Sequence, residues 1–313
     1  MRRFASTETT LFFDPREEPI AELADGERVI VETADSLCGL AKAAAPRGYH
    51  IDEVLERLGG ACPVTGPFHV AGARPGDVLE VEIHRVAALP GDAWTGIFRG
   101  FGALDHEPYT LATGPEPVTT LVPHDGHLAH FPCRGSHVSV PMRPFLGTVG
   151  VAPKHERRLS FSQSPEYLGD VDVPALAAGA TLVLPVNVEG AGIAFGDAHG
   201  AQGSGEITGA ALEIEAEVEL SVRVREAAEA GWAALPQINT AAAVGSVAGF
   251  QGVSLADCAR AAYVDLIARM TAGYGFTKSE AYQLLSQVGR LEVGNMIDPF
   301  YSVMASVERR YLE

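Results

Sequence analysis

The chain has 313 residues, of which 47% are hydrophobic and 20% charged, so it can form a packed core and is not a disordered protein. Its 40 acidic residues against 23 lysines and arginines give a net charge of −17, which argues against nucleic acids and anionic membrane surfaces as partners. The length suggests one large or two moderate domains. We divide it into a mainly β region, residues 1–153, and a β region with C-terminal helices, residues 154–313, and expect the two to be intertwined.

The cysteines and the N-terminus predict a cytoplasmic location. The four cysteines, Cys38, Cys62, Cys133 and Cys258, form no C-x-x-C pair, which indicates reduced thiols rather than a disulfide scaffold. Arg2 and Arg3 are followed by acidic residues and not by an apolar stretch, so the pattern is not that of a signal peptide. No run of about 18 apolar residues is present, so we expect no membrane span.

The first two thirds of the chain predict β-structure. Residues 27–33 (ERVIVET) are rich in Val and Ile, and residues 76–86 (GDVLEVEIHRV) alternate apolar and polar side chains. The longest alternation, residues 211–225 (ALEIEAEVELSVRVR), predicts a strand with one solvated face. That solvated face is expected to carry Glu213, Glu215, Glu217 and Glu219.

The last sixty residues change to helical periodicity. Helix starts are predicted at residues 254–257 (SLAD) and 277–280 (TKSE), where a capping residue precedes apolar side chains at helical spacing. A third is predicted at Asp298-Pro299, before Val303, Met304 and Val307. The fold class is therefore α+β and mainly β, an antiparallel β-sandwich or barrel-like core with C-terminal helices packed alongside. Gly- and Pro-rich turns at 60–76 and 111–117 are the expected internal seams.

The segment with the most chemically active side chains is residues 195–206, FGDAHGAQGSGE. Asp197 and His199 are two residues apart, so on extended backbone they project to the same side, where they can share a divalent metal or act as an acid/base pair. The glycines allow close approach of the backbone to a ligand, and Gln202 and Glu206 add an amide and a carboxylate. The alternative is a Gly-rich hairpin whose polar residues cap its own backbone.

Two other polar groups are weaker candidates. His124, His127, His130, Cys133 and His137 contain metal-ligand atoms, but their spacing matches no closed zinc module, and solvated loop histidines are the more common case. Glu32 and Asp35 end an early strand, and the turn after a core strand is a frequent place for functional residues.

Several blocks in the same order resemble the acetamidase/formamidase family of small-amide hydrolases. They extend from about residue 27 to residue 290 and cover nearly the whole chain. The blocks are ETAD at 32–35 with Gly39, PVTGP at 63–67, VAGARPGDVL at 70–79, PFLGTVGVAP at 144–153, LPV at 184–186, GDAH at 196–199 with QGSGE at 202–206, and SEAY at 279–282 with Leu284.

Two positions depart from the family pattern. The family has aspartate where this chain has Ser204, and its G-G-N-M-D block is LGDVD at 168–172 here, with Asp170 in place of asparagine. The first change removes a carboxylate from the Gly-rich loop, and the second adds one nearby in sequence. We therefore expect family membership to hold and the identity of the substrate to be open.

The resemblance implies hydrolysis of a short aliphatic amide to carboxylate and ammonia, by a homo-oligomer with a small-molecule substrate. We expect a divalent metal, Zn²⁺ before Ca²⁺, to polarise the amide and activate a water. Asp197 and His199 are the expected ligands, with Asp35 or Asp172 completing the set. Glu206 is the expected base, and Gln202 is expected to bind the developing oxyanion.

Two alternatives stay open at this point. One is a metal-free amidase with Cys133 or Cys38 as nucleophile. The other is a diverged family member that binds a small carbonyl ligand without turnover, which the changes at Ser204 and Asp170 would permit.

Overall fold

The computed structural model describes residues 1–104, 116–227, 229, 234–297 and 299–313, and most of the regular structure in these ranges is β-strand. The strands up to residue 150 are β1 (Arg2–Phe4), β2 (Thr9–Thr10), β3 (Phe12–Phe13), β4 (Ala21–Leu23), β5 (Arg28–Thr33), β6 (Val64–Val70), β7 (Asp77–Ala88), β8 (Ala93–Ile97), β9 (Val118–Val122), β10 (Leu128–Cys133), β11 (Ser136–Pro141) and β12 (Phe145–Gly150). The later strands are β13 (Arg158–Leu159), β14 (Gln163–Ser164), β15 (Leu168–Asp170), β16 (Thr181–Pro185), β17 (Ile193–His199), β18 (Glu213–Ile214), β19 (Ala216–Glu226), β20 (Gln237–Asn239), β21 (Ala243–Gln251), β22 (Arg290–Ile297) and β23 (Phe300–Glu308).

Two large, mostly antiparallel sheets contain nearly all of these strands. The nine-stranded sheet has the order β1-β5-β19-β7-β16-β20-β21-β23-β22. The ten-stranded sheet has the main order β14-β15-β12-β17-β18-β8-β9, and β6 pairs with β17, β2 and β4 beside it. The pairs β10-β11 and β3-β13 form two small sheets. Both large sheets take strands from either side of residue 153, so the polypeptide passes repeatedly between them.

One apolar core joins the two large sheets. It contains Val81 and Leu220 from the nine-stranded sheet, and Phe68, Val149 and Phe195 from the ten-stranded sheet, all of which are fully buried. Alternation puts every second side chain of these strands into this layer. The observed arrangement confirms the predicted mainly β fold with an antiparallel sandwich-like core.

The helices are α1 (Leu40–Ala44), α2 (Ile51–Leu58), α3 (Leu255–Tyr274) and α4 (Lys278–Val288), with a 3₁₀ turn at Arg309–Tyr311. Both predicted helix starts near the C-terminus are confirmed. Ser254 caps α3 by accepting a hydrogen bond from the Asp257 backbone N–H, and Thr277 and Glu280 form a reciprocal capping box at α4. Among the described residues, no helix is long and apolar enough to cross a membrane.

The helix predicted after Asp298-Pro299 is wrong. Residues 300–308 form strand β23, which pairs with β21 on one side and β22 on the other. Val303, Ala305 and Val307 pack against α3 and α4, whereas Met304 on the opposite face belongs to the main core. Because both faces are buried, apolar residues fall on successive positions and imitate helical spacing. Residue 298 itself, and most of the expected seam at 111–117, lie outside the described residues.

Candidate active site

Strand β17 carries Asp197 and His199 at the end that leads into the Gly-rich loop. Both side chains are fully buried, and Asp197 Oδ2 lies 3.4 Å from His199 Nε2. Asp197 has a φ of 52°, so the backbone leaves regular strand geometry at this residue. Left-handed backbone at a non-glycine residue is uncommon and is concentrated at functional sites. The structure thus brings together the pair that the sequence predicted.

Acidic side chains from three other segments surround His199. Its Nε2 lies 3.9 Å from Glu206 Oε1 and 3.5 Å from Glu213 Oε1. Asp172, two residues after β15, joins Asp197 and His199 in one group whose ligand atoms lie within 4.8 Å of one another. Four carboxylates and one imidazole therefore converge on one buried position.

Gln202 holds this arrangement in place. Its Oε1 accepts a hydrogen bond from His199 Nδ1 at 2.8 Å, which leaves Nε2 of the imidazole facing the carboxylates. Its Nε2 donates to the backbone oxygens of Asp172 at 2.8 Å and Gly294 at 3.0 Å. Both ends of the amide are thus engaged with protein atoms. In this structure Gln202 orients His199, and the oxyanion contact expected from the sequence stays a prediction.

Asp170 lies beside the same group. The Thr148 hydroxyl donates a short hydrogen bond to Asp170 and contacts Asp197 Oδ2 at 3.2 Å. Cys62, which precedes strand β6, forms a second cluster of potential metal ligands with Asp170 and Asp197. The substitution of the family's asparagine by Asp170 therefore adds a carboxylate inside the site and not merely near it.

Sequence reasoning missed Glu213 and Cys62. Glu213 was expected on a solvated strand face, and that expectation is wrong, because only 1% of its surface is exposed. It accepts hydrogen bonds from the Ser36 hydroxyl at 2.7 Å and from the Ala211 backbone N–H at 2.8 Å. The reason is that the predicted strand is interrupted at Glu215. The short β18 belongs to the ten-stranded sheet and β19 to the nine-stranded sheet. No feature of the alternating pattern marks that change.

The crowding of carboxylates shifts their proton affinities. Burial raises the pKa of Glu213 to about 8 and that of Asp172 to about 6. Burial, with the neighbouring charge of Asp172, also raises the pKa of Glu206 well above its usual range. Although burial opposes ionisation of both partners, the His199–Asp197 ion pair lowers the pKa of Asp197, and Glu213 and Asp197 raise that of His199. Burial thus favours the protonated forms of Glu206, Glu213 and Asp172, whereas the ion pair favours the charged forms of Asp197 and His199.

The residues fit a divalent metal. Oδ1 of Asp172 and Oδ1 of Asp197 are buried and have no hydrogen-bond partner among the described residues. Leaving buried carboxylate oxygens unpaired costs free energy, and a bound cation would supply the partner that these two oxygens lack. The ring of His199 is oriented by the hydrogen bond from its Nδ1 to Gln202, as is usual for histidines that bind a metal through the other nitrogen. Mixed nitrogen and oxygen donors suit Zn²⁺ better than Ca²⁺, which prefers oxygen alone.

A cavity of about 280 Å³ opens directly onto this group. Asp170, Asp197, His199, Glu206 and Glu213 all line it. A wider groove of about 1040 Å³ also touches Glu206, together with Gln202 and Ser204, but does not touch Asp197, His199 or Glu213. Of these two cavities, the smaller one therefore borders Asp197, His199 and Glu213.

The remaining candidate residues lie elsewhere. Asp35 is buried, and its carboxylate accepts hydrogen bonds from the backbone N–H groups of Leu37 and Gly39 at 3.0–3.1 Å, so it shapes the turn before α1. It belongs to none of the potential metal-binding groups among the described residues. Ser204 is exposed, and its hydroxyl donates to the Val293 backbone oxygen at 3.4 Å.

The histidine-rich segment forms the region around the β10-β11 hairpin. The rings of His130 and His137 lie 5.0 Å apart on neighbouring strands, but in the described part of the chain these histidines form no group of three metal-ligand atoms. Cys133 lies at the turn of this hairpin, and the Cys38 backbone N–H donates to the Asp35 backbone oxygen at 3.0 Å. Burial, and then the charge of Asp35, raises the pKa of Cys38, which disfavours the nucleophilic thiolate. The cysteine at the site is Cys62, whose pKa burial raises well above its usual range.

Comparison with known sequences agrees with this geometry. A model of the Acetamidase/Formamidase family matches residues 12–168 and 162–299. A Schizosaccharomyces pombe protein named "Putative formamidase C869.04" is 26% identical over 209 residues, which cover 51% of each chain. The match thus spans about half of the length of this curated relative.

Solved structures match over nearly the full chain. An acetamidase from Bacillus halodurans superposes with a TM-score of 0.86 at 28% identity, over 99% of this chain and 98% of that one. An acetamidase from Yersinia enterocolitica has a TM-score of 0.88 at 27% identity, over 99% of this chain and 93% of that one.

Proposed function

This chain belongs to the acetamidase/formamidase family, and from that premise we propose that it hydrolyses a linear carboxamide to a carboxylate and ammonia. The names of its relatives make formamide and acetamide the first substrates to test. The observation that carries the proposal is the buried group of Asp172, Asp197 and His199, in which two carboxylate oxygens are left unpaired. Asp197 and His199 also line the cavity, together with Glu206.

In this proposal, Asp172, Asp197 and His199 hold a divalent ion, with Zn²⁺ favoured over Ca²⁺. A divalent ion at this position would polarise the amide carbonyl and lower the pKa of a nearby water. Asn295 orients one ligand, since its Nδ2 donates to Asp172 Oδ2 at 3.0 Å. Gln202 orients a second ligand, His199, by accepting a hydrogen bond from its Nδ1. Residues that do not touch the ion therefore fix the positions of two of its ligands.

Glu206 is the proposed proton carrier. Its carboxylate lines the cavity and lies 3.9 Å from His199 Nε2. The raised pKa of Glu206 suits a group that takes a proton from the attacking water and then gives it to the departing nitrogen. Water supplies the hydroxyl that stays on the acyl carbon, and its other proton leaves with the nitrogen as ammonia. The carboxylic acid formed then ionises and ammonia takes up that proton, so the reaction balances as carboxylate and ammonium. Glu213, 3.5 Å from His199, balances the charge of the imidazole.

The proposal is tested by measuring ammonia release from formamide, acetamide, propionamide and longer amides. Parallel samples would contain purified protein with added Zn²⁺ and protein treated with a chelator. We expect turnover that disappears with the chelator and returns with the metal. Turnover that resists the chelator but stops on thiol alkylation would favour a cysteine nucleophile. Binding of amides by calorimetry without ammonia release would favour a diverged family member.

The family resemblance also implies a homo-oligomer with a cytoplasmic location, and both belong to the proposal. Light scattering of the purified protein tests the first, and fractionation of the source cells tests the second.

A further inference from the structure

The 280 Å³ cavity beside the catalytic group has an apolar wall that formamide and acetamide cannot fill. We propose that this cavity binds the acyl group of the substrate, and that the preferred substrate is the primary amide of a neutral, apolar acid larger than acetic acid, with a medium-length alkyl chain or an aryl ring. The inference rests on the proposed function, because it assigns the substrate class of that same site.

The size of the cavity is the first argument. One water molecule occupies about 30 Å³ of liquid, so the cavity has room for roughly nine waters. Acetamide has only a few non-hydrogen atoms and would leave most of this volume to water. An acyl group of six or more carbons would occupy the space and displace that water from apolar walls.

The chemistry of the wall is the second argument. Beyond the carboxylates and His199, the wall consists mainly of aromatic and aliphatic side chains, including Leu55, Trp94, Phe98, Phe101, Phe161 and Phe300. Trp94 and Phe98 pack edge to face with ring centroids 6.2 Å apart, and Phe161 and Phe300 do so at 5.9 Å. Trp94 and Phe98 belong to an apolar cluster separate from the main core. This cluster packs around the cavity without filling it.

The charge of the site is the third argument. Within the described part of the chain, no lysine or arginine lines the cavity, whereas four carboxylates do. In the described lining, the cationic partner nearest to an anionic acyl group would be His199, which Asp197 and Glu213 already engage, so the added charge would be buried without a partner. Neutral apolar acyl groups are therefore the class that this cavity accepts.

The substrate series that tests this inference is acetamide, butanamide, hexanamide and phenylacetamide, with adipamic acid as an anionic relative of hexanamide. Burying one methylene is worth about a fourfold gain in binding, so kcat/KM for ammonia release should rise by that factor per added methylene until the cavity is full. We expect adipamic acid to be at least about tenfold poorer than hexanamide. Ammonia from acetamide with a flat or falling series would overturn this inference and leave the proposed function intact. Failure to release ammonia from any of these amides would contradict the proposed function itself.

A pair of leucines on helix α2 provides the matched variants. Leu55 lines the cavity, whereas Leu58 packs against the same apolar cluster without lining the cavity. Both side chains are half-buried, so Leu55→Phe and Leu58→Phe carry similar folding costs. The ratio of kcat/KM for hexanamide to that for acetamide should fall at least about fivefold in Leu55→Phe and stay at the wild-type value in Leu58→Phe. Equal ratios in both variants would overturn the assignment. Should Leu55→Phe not fold, the substrate series on the unaltered protein still decides the question.

Discussion

Asp197 and His199 supply an oxygen and a nitrogen ligand to the proposed metal. Replacing either one by alanine removes a ligand from a group held within 4.8 Å. Since changes behind a metal ligand already cost 10- to 100-fold, we expect loss of the bound ion and a fall in kcat/KM of at least about 100-fold. Elemental analysis of the purified variants and ammonia release measure the two effects. Full activity in both folded variants would show that the assignment is wrong.

Asp35 provides the contrast, because its carboxylate is occupied by backbone N–H groups of the following turn. Asp35→Ala should lower the free energy of unfolding by about 1–3 kcal/mol, since buried backbone donors lose their acceptor. Its metal content per protein should stay at the wild-type level. Denaturant unfolding and elemental analysis distinguish these effects, and loss of the ion would support the expectation that Asp35 is a ligand.

Ser204, the departure from the family pattern in the Gly-rich loop, is expected to matter little. It is exposed, and it lines the wider groove and not the cavity that borders Asp197 and His199. Ser204→Asp, which restores the family residue, should change the free energy of unfolding by less than about 0.5 kcal/mol. Its kcat/KM should stay within about twofold of wild type. A gain of tenfold or more would instead place position 204 in the reaction.

At the residue scale, local spacing could predict Asp197 and His199 but not their surroundings. The two lie two residues apart on one strand, so their spacing alone predicted that they would lie together. Glu213 reaches His199 from another strand, and Cys62 reaches Asp197 from the segment just before β6. These contacts depend on which strands pair. A period-2 pattern reports which residues share a face, but not which sheet covers that face.

Strand β23 shows the same difficulty at the scale of an element. Its residues 300–308 (FYSVMASVE) place small and apolar side chains on both faces, because α3 and α4 cover one face and the main core the other. The strands β5, β7 and β19 have a more polar face, and their alternation predicted them. A strand buried on both sides has no such alternation, so propensity and spacing could not distinguish it from a helix.

Strand β12 needs a glycine where it passes the site. A Cβ added at Gly147 would lie 2.6 Å from Asp172 Oδ1 and 2.8 Å from Asp197 Oδ2. Gly147→Ala should therefore push two ligand carboxylates apart and lower kcat/KM and Zn²⁺ affinity by at least about tenfold. Titration with Zn²⁺ and ammonia release measure this. Gly203→Ala is the matched control, because a Cβ there meets nothing within 4 Å and its backbone is not left-handed. Equal behaviour of the two variants would contradict the argument.

At the scale of the whole molecule, the site joins the two large sheets. Asn295 on β22 of the nine-stranded sheet donates to Asp172, which follows β15 of the ten-stranded sheet. Gln202 reaches both segments through the backbone oxygens of Asp172 and Gly294. The mainly β sandwich with C-terminal helices could be predicted from periodicity and capping residues. The strand order could not, because partners such as β7 and β19 lie far apart in sequence.

Because the site links both sheets, protonation of its carboxylates should affect the free energy of unfolding of the metal-free protein. Burial raises the pKa of Glu213 from 4.5 to about 8 and that of Asp172 from 3.8 to about 6, so the folded state binds more protons than the unfolded state. The free energy of unfolding should therefore be highest below about pH 4 for these groups and fall as pH rises to about 8. A divalent ion displaces those protons, so the Zn²⁺-loaded protein should not show this fall. Calorimetric Tm values between about pH 5 and pH 8, with Zn²⁺ or with chelator, test this, and Glu213→Gln should flatten the chelated curve. Parallel curves for loaded and chelated protein would contradict it.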